Sequence, residues 1–473
     1  MLFNSFTYLS FIIVVIPLYY LLPSKLKNSF LLLTSFLFYA YWDWRFCSLL
    51  IITTLTVYLC GKFVYASKEQ SKKKLYLYIS LIVNLGILVL FKYYNFFIDS
   101  FSSAFSVFGG NLDWLHLKLI LPIGISFYTF QALTYVIDIY RGDSEPSDSI
   151  IDVSLFVTFF PQLLMGPIER ARNILPQLKT ERRFNRTLFK EGFVLITIGM
   201  FKKVIIGDTA GKVVNQVFAD PAYYTSIELI MGIVLFTIQL YADFSGYTNI
   251  ARGTAKMLGL NIMENFEQPY FSQSITEFWR RWHISLSTYL RDYLYTPLTI
   301  STRQWGIYSI AFSLFLTFVL AGLWHGAGWT FIIFGALHGA ALVYEALSRK
   351  FRKKLNQKFS PFWYNKACML LAFVFVMFTF IFFRSDSVND AFFIMGRILN
   401  WNESEFYIRV MLIMAAYLIF SFSLDLLEIR SKTHAYLLKL DTTYMLGISS
   451  AMWMVVIPYM LQSTPMPFIY FQF

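Results

Sequence analysis

Leu320-Ala321-Gly322-Leu323-Trp324-His325-Gly326-Ala327-Gly328-Trp329 is the stretch on which the fold of this chain turns. Apolar runs flank it, residues 307–323 before and 329–343 after. Each approaches the roughly 20 residues that carry an α-helix across a hydrocarbon layer. The stretch therefore reads as the turn between two successive membrane spans. An ionisable ring at membrane depth is costly unless it is partnered or used. A neutral imidazole also accepts a proton near physiological pH. His325 is the first candidate for a functional residue.

The pattern repeats outward in both directions. The 473 residues are 57% hydrophobic, 20% aromatic and 14% charged, with a mean hydropathy of +0.55. A soluble domain could not keep so much apolar surface dry. The fold class expected is all-α: a polytopic integral membrane protein with about 11 transmembrane helices plus re-entrant and interfacial helices. The apolar runs are continuous rather than alternating, which favours helices over a barrel. Residues 1–473 read as one membrane domain, with the chemistry-bearing motifs in 118–345 and further transmembrane helices in 346–473. Among the expected spans are 188–206, 226–248, 306–323, 329–347, 364–384 and 443–461. Residues 152–167 hold Pro161, Gly166 and Pro167 and read as a broken, re-entrant segment. Residues 208–225 read as an external loop, as do 100–116, which contain Gly109-Gly110.

The formal net charge is +12, but its placement argues against nucleic acid as a partner. The bases cluster in short loops: Lys72, Lys73 and Lys74, then Arg170 to Arg186, then Arg349 to Lys358. Such loops stay in the cytoplasm. The apolar residues 1–22 lack a basic flank ahead of them, so the chain is expected to keep them as its first span. Alternation from there leaves both termini outside. Cys47, Cys60 and Cys368 show no ligand spacing, so neither a metal nor a disulfide framework is expected. His116 and His434 fall in loops and read as solvated.

Residues 273–294 hold the second concentration of chemistry. Ser274-Ile275-Thr276-Glu277 is a capping box, followed by Phe278-Trp279-Arg280-Arg281-Trp282-His283. As one helix, this segment places Trp279, His283, Leu286 and Leu290 on one face and Arg280 and Arg291 on another. It reads either as an interfacial anchor or as the wall of a cytoplasmic entrance. In the second case its arginines meet the phosphates of an acyl donor. His338, in Gly335-Ala336-Leu337-His338-Gly339, has small neighbours that permit close helix packing. It reads equally as a histidine bonding across helices and as a functional one.

These motifs resemble the membrane-bound O-acyltransferase family. Trp324-His325-Gly326 after a span and Phe278-Trp279-Arg280-Arg281-Trp282-His283-Ile284-Ser285-Leu286-Ser287 carry the likeness. Leu121-Pro122-Ile123-Gly124-Ile125-Ser126-Phe127-Tyr128 and Tyr135 to Gly142 are similar to its bacterial, alginate-acetylating branch. So are Asp243-Phe244-Ser245-Gly246-Tyr247 and Glu264-Asn265-Phe266-Glu267-Gln268-Pro269-Tyr270. The likeness extends to about residue 345. After Tyr295-Thr296-Pro297-Leu298 the chain departs from it, reading Thr299 to Trp305 where that branch has a glycine- and arginine-rich stretch.

The resemblance implies a ring of helices around a thin central region, with a tunnel and a funnel meeting at the histidine. It implies His325 as the catalytic histidine and His283 as the second functional position. Trp279, Arg280, Arg281, Trp282, Ser287, Arg291, Trp324, Asp243, Tyr247 and His338 are the further candidates for substrate or donor binding. It implies an acyl group moving from acetyl-CoA, or an acyl carrier thioester, to an extracytoplasmic polysaccharide in the bacterial inner membrane. It also implies a separate, SGNH-like acetyltransferase as partner, and no permanently bound cofactor.

Residue chemistry suits that expectation. A hydroxyl needs a positioned base to attack at neutral pH, and a thioester is already activated. A direct acyl-imidazole on His325 is the competing mechanism. D-alanyl transfer from a carrier protein is an alternative within the family. A secondary transporter or flippase is the alternative from another class, since it too has many spans, broken helices and buried ionisable groups. No His is followed five residues later by Asp, and no Gly-x-Ser-x-Gly elbow occurs.

Overall fold

The computed structural model describes residues 1–106, 113–401 and 408–471. Among them all regular structure is helical, and eight helical runs are long and apolar enough to cross a bilayer. The protein is a multi-pass membrane protein. Large apolar side chains such as Ile82, Leu371 and Met454 face outward, while Asp243, His283, His325 and His338 are buried. That inversion of the soluble pattern is what a lipid solvent selects. Gly109 and Gly110 lie outside the described residues.

The described residues form two compact units. The first comprises Met1–Ile196 and Ile250–Met263. Its long helices include Ser24–Asp43, Cys47–Ala66 and Ile125–Arg141. Gly124, the residue before the last of these, has φ +79°. A Cβ there would stand 2.6 Å from the Leu163 carbonyl oxygen, so both conformation and space require glycine. The segment expected to be re-entrant consists of helix Ile150–Thr158 and the single turn Phe160–Leu163. The Gln162 carboxamide donates to the Phe156 carbonyl at 3.1 Å, and Gln131 donates to the same oxygen. Broken backbone at membrane depth survives only with such partners. The basic loop that follows is partly buried. Arg182 donates to the Tyr19 hydroxyl at 2.7 Å and to the Gln177 carbonyl at 2.9 Å.

The second unit comprises Thr197–Asn249 and Glu264–Phe473. Its site-bearing helices are α1 Ser226–Met257, of which the residues up to Asn249 belong to this unit, α2 Ile275–Arg281, α3 Ile284–Leu290, α4 Ile307–His325, α5 Trp329–Leu347, α6 Arg349–Lys358 and α7 Pro361–Arg384. Helices α4 and α5 form the hairpin expected around His325. A Cβ on Gly322 would meet the Gly335 Cα at 3.0 Å, and one on Gly335 would meet the Gly322 Cα at 3.0 Å. The two backbones approach this closely because neither carries a side chain at the crossing.

Three expectations need correction. Residues 273–294 are not one helix. Helix α2 ends at Arg281, and His283 has φ 45° and ψ 53°, the left-handed region. The shared face of Trp279, His283, Leu286 and Leu290 therefore does not exist. Arg280 and Arg291 do not share a helix either. The break is held from outside. Glu267 N donates to Arg281 O at 2.9 Å, and Ile284 N donates to Asn265 O at 2.9 Å. Backbone pairing with residues 265–267 thus replaces helical bonding at the histidine. Residues 208–225 are not a simple loop but contain helix Asp208–Ala219. His434 is not simply solvated: its Nδ1 lies 2.9 Å from the buried Glu428 carboxylate. His116 is partly exposed and bridges to Asp99 at 2.7 Å.

Candidate active site

His325 is the last residue of α4 and is 2% exposed. Its imidazole is packed among the rings of Trp324, Phe334, Phe383 and Tyr470, with centroids 5.0, 6.0, 5.5 and 5.5 Å away. Gly326 follows because nothing larger fits: a Cβ would stand 2.2 Å from the Phe331 ring. The helix end, the glycine and the aromatic walls together bury a titratable ring among aromatic side chains.

His283 packs on Trp324 as well, from the break between α2 and α3. Its ring lies 5.9 Å from that of Trp324, which also packs on His325, and 4.7 Å from that of Phe244. Asn265 fixes the tautomer. The Ser285 backbone N–H donates to Asn265 Oδ1 at 3.1 Å, so that atom is the oxygen. His283 Nδ1, 3.1 Å from the same oxygen, must then carry the proton and donate it. Nε2 is left as the lone-pair nitrogen. His283 lies outside the membrane spans, and burial pushes its imidazole down to about 3. It is neutral at any physiological pH.

His338 has a different character. The Trp279 indole N–H donates to its Nδ1 at 3.1 Å, and its Nε2 lies 3.0 Å from the Thr379 hydroxyl. The ring spans α2, α5 and α7 as a polar strut. Of its two sequence readings, this geometry matches the histidine bonding across helices.

The remaining candidates divide. Trp279, Trp282 and Trp324 are buried. Phe278 and Trp282 stack at 5.4 Å. Arg281 is paired with Glu277 at 2.7 Å, and Arg291 with Asp292 at 2.8 Å. Arg280 is exposed. Ser287 donates to the Trp282 carbonyl at 3.2 Å. The capping box is half formed. The Ser274 hydroxyl accepts from Glu277 N at 3.0 Å, while the Glu277 carboxylate accepts from Gln273 N at 2.8 Å. The Glu345 carboxylate on α5 adds a cap, accepting from the backbone N–H of Ile275 and Thr276 at 2.7 and 2.9 Å.

Asp243 and Tyr247 sit in α1. Asp243 pairs with Lys203 at 2.8 Å and accepts from the Ile469 N–H at 3.0 Å. Tyr247 packs on Phe468 at 4.9 Å. Sequence reasoning missed Asn265, Phe244, Lys203 and the whole segment 466–471. Lys202 and Lys203 inside an expected span were the overlooked signal, since buried cations demand buried acids. Among the described residues no group of three or more His, Cys, Asp or Glu could hold a metal ion.

Two buried histidines thus pack on one tryptophan in a membrane helical fold, and sequence comparison places the chain. Residues 36–385 match the membrane-bound O-acyltransferase family, MBOAT. The chain is 40% identical to the probable alginate O-acetylase AlgI of Pseudomonas syringae pv. tomato, over 85% of this chain and 76% of that one. It is 33% identical to a peptidoglycan O-acetyltransferase of Helicobacter pylori, over 79% and 75%. It is 30% identical to a teichoic acid D-alanyltransferase of Bacillus subtilis, over 56% and 69%. The chain belongs to the membrane-bound O-acyltransferase family and is an O-acyltransferase.

Proposed function

We propose that this protein passes an acetyl group from a cytoplasmic thioester, acetyl-CoA or an acyl carrier, to a hydroxyl acceptor on the other side of the membrane. The destination is O-acetylation of an extracytoplasmic polysaccharide. The observation that carries this reading is that two buried histidines, His325 from the end of a span and His283 from a helix break, both pack on Trp324. The relatives named as acetylating alginate and peptidoglycan support acetyl as the group transferred.

His325 acts as general base. It takes the proton of the acceptor hydroxyl as oxygen attacks the thioester carbonyl, then returns it to the leaving thiolate. Acyl–sulfur is exchanged for acyl–oxygen, and a thiol departs. General base catalysis of this kind contributes roughly 10²–10⁴-fold. His283, a hydrogen-bond acceptor at Nε2, orients an N–H or O–H of the donor. In this tautomer it cannot donate from Nε2 to a developing oxyanion. The bilayer orientation with both termini outside, in the bacterial inner membrane, and a separate extracytoplasmic acetyltransferase belong to the same proposal.

The test uses the full chain in proteoliposomes with labelled acetyl-CoA inside and, outside, a polysaccharide acceptor together with an SGNH-like acetyltransferase. Label should reach the outer acceptor, and His325→Ala should lower the rate by about 10²-fold or more while the melting temperature stays near that of the parent. Movement of an intact solute without acyl transfer would overturn the reading. So would an active His325→Ala protein.

A further inference from the structure

Segment 466–471 is seated beside His325, and the groups that seat it are buried charges. Lys203 bridges Asp208 at 2.6 Å and Asp243 at 2.8 Å. It is 2% exposed, and both acids are buried with it. Charges so deeply buried are costly unless each is paired and hydrogen-bonded. The second oxygen of Asp243 accepts from the Ile469 N–H at 3.0 Å, and Lys203 Nζ approaches the Met466 carbonyl at 3.4 Å. Both members of the pair therefore hold the backbone of this segment.

The aromatic side chains continue what the charges begin. Phe468 and Tyr470 stack at 5.4 Å and lie 5.3 and 5.1 Å from Phe244, the neighbour of Asp243. Tyr470 then packs on His325 at 5.5 Å. Phe468, Ile469 and Tyr470 are 1%, 1% and 7% exposed.

We propose that Lys203 and Asp243 are positioning residues that dock residues 466–471 against His325, and that the docked segment is part of the working site. The functional half rests on the acyl-transfer reading; the docking half stands without it. Asp243 acts through the Ile469 N–H and touches no reacting atom.

Hydrogen–deuterium exchange on the purified full chain tests this. Amides of residues 468–471 should be protected in the parent. Three variants should each speed their exchange by about tenfold or more, the worth of one hydrogen bond to a charged group. The first is Asp243→Leu with Lys203→Met and Asp208→Asn, which removes the charges together. The second is Asp243→Leu alone, which removes the acceptor oxygens and leaves Lys203 paired with Asp208. The third is Ile469→Pro, which deletes only the donor N–H at the first position of a helical turn, where proline is tolerated. Exchange in α4, α5 and α7 should not change. Acetyl transfer should fall in kcat with KM for acetyl-CoA held. Persistent protection of 468–471 in the Ile469→Pro protein would overturn the proposal. So would loss of protection spread evenly over all helices, or wild-type kcat in a chain whose segment is undocked. The exchange result decides the docking even if no acetyl transfer is found.

Discussion

At the scale of the residue, the site depends on two histidines held by opposite means. His325 was legible in sequence because an ionisable ring between two apolar runs is expensive wherever it stands. His283 was legible as a residue but not as a conformation. A non-glycine in the left-handed region costs of order 1–3 kcal/mol, offset here by the backbone pairing of residues 265–267 and the carboxamide of Asn265. That contact joins positions 18 apart, and helical periodicity cannot reveal it. A pH consequence follows from the burial of His283. Its folded imidazole is held down to about 3 from an ordinary 6.5. Below pH 6.5 the unfolded chain binds a proton that the folded chain refuses. Stability is therefore full above 6.5 and declines as pH falls toward 3, by up to about 1.4 kcal/mol per pH unit for this one group. Thermal unfolding across that window should show a shallower decline for His283→Gln. An unchanged slope would remove His283 from the acid response.

At the scale of the element, hydropathy located several spans closely, while eight helical runs of spanning length are found where about 11 spans were expected. Residues 306–323 and 329–347 were expected, and helices Ile307–His325 and Trp329–Leu347 are found. The failure was at 273–294, where an amphipathic period concealed a break. Period reports which side chains are apolar, not which backbone groups are claimed by a distant loop. The α4–α5 hairpin depends on its glycines. Gly322→Leu should force the two backbones apart and lower stability by about 1–3 kcal/mol, read as a fall in melting temperature of the detergent-solubilised protein. Because His325 sits one turn further along α4, transfer should fall as well. A variant with parental melting and activity would show that the close crossing is dispensable.

At the scale of the molecule, buried ionic groups are organised into separate clusters. In addition to the Lys203 group, Lys202 pairs with Glu428, whose carboxylate also meets Gln268 at 3.0 Å and His434 at 2.9 Å. Consecutive lysines of the π-helical turn Phe201–Gly207 serve two different clusters because adjacent residues of a helix point to different sides. Hydropathy alone hid both clusters, since each charge is diluted within an apolar run. Lys202→Met should destabilise by about 3–5 kcal/mol by taking the lysine cation away from the buried Glu428 carboxylate, and adding Glu428→Leu should recover much of it. Equal melting temperatures for the single and double variants would exclude coupling between them.

The walls around His325 come from α4, α5, α7 and the segment near Tyr470, which are far apart in the chain. During synthesis the ribosome makes Phe383 and Tyr470 several seconds apart, at roughly 5–20 residues per second. A nascent chain can thus have these helices in the bilayer while the ring of His325 still lacks one wall. The aromatic packing around that ring is complete only once Tyr470 has been made.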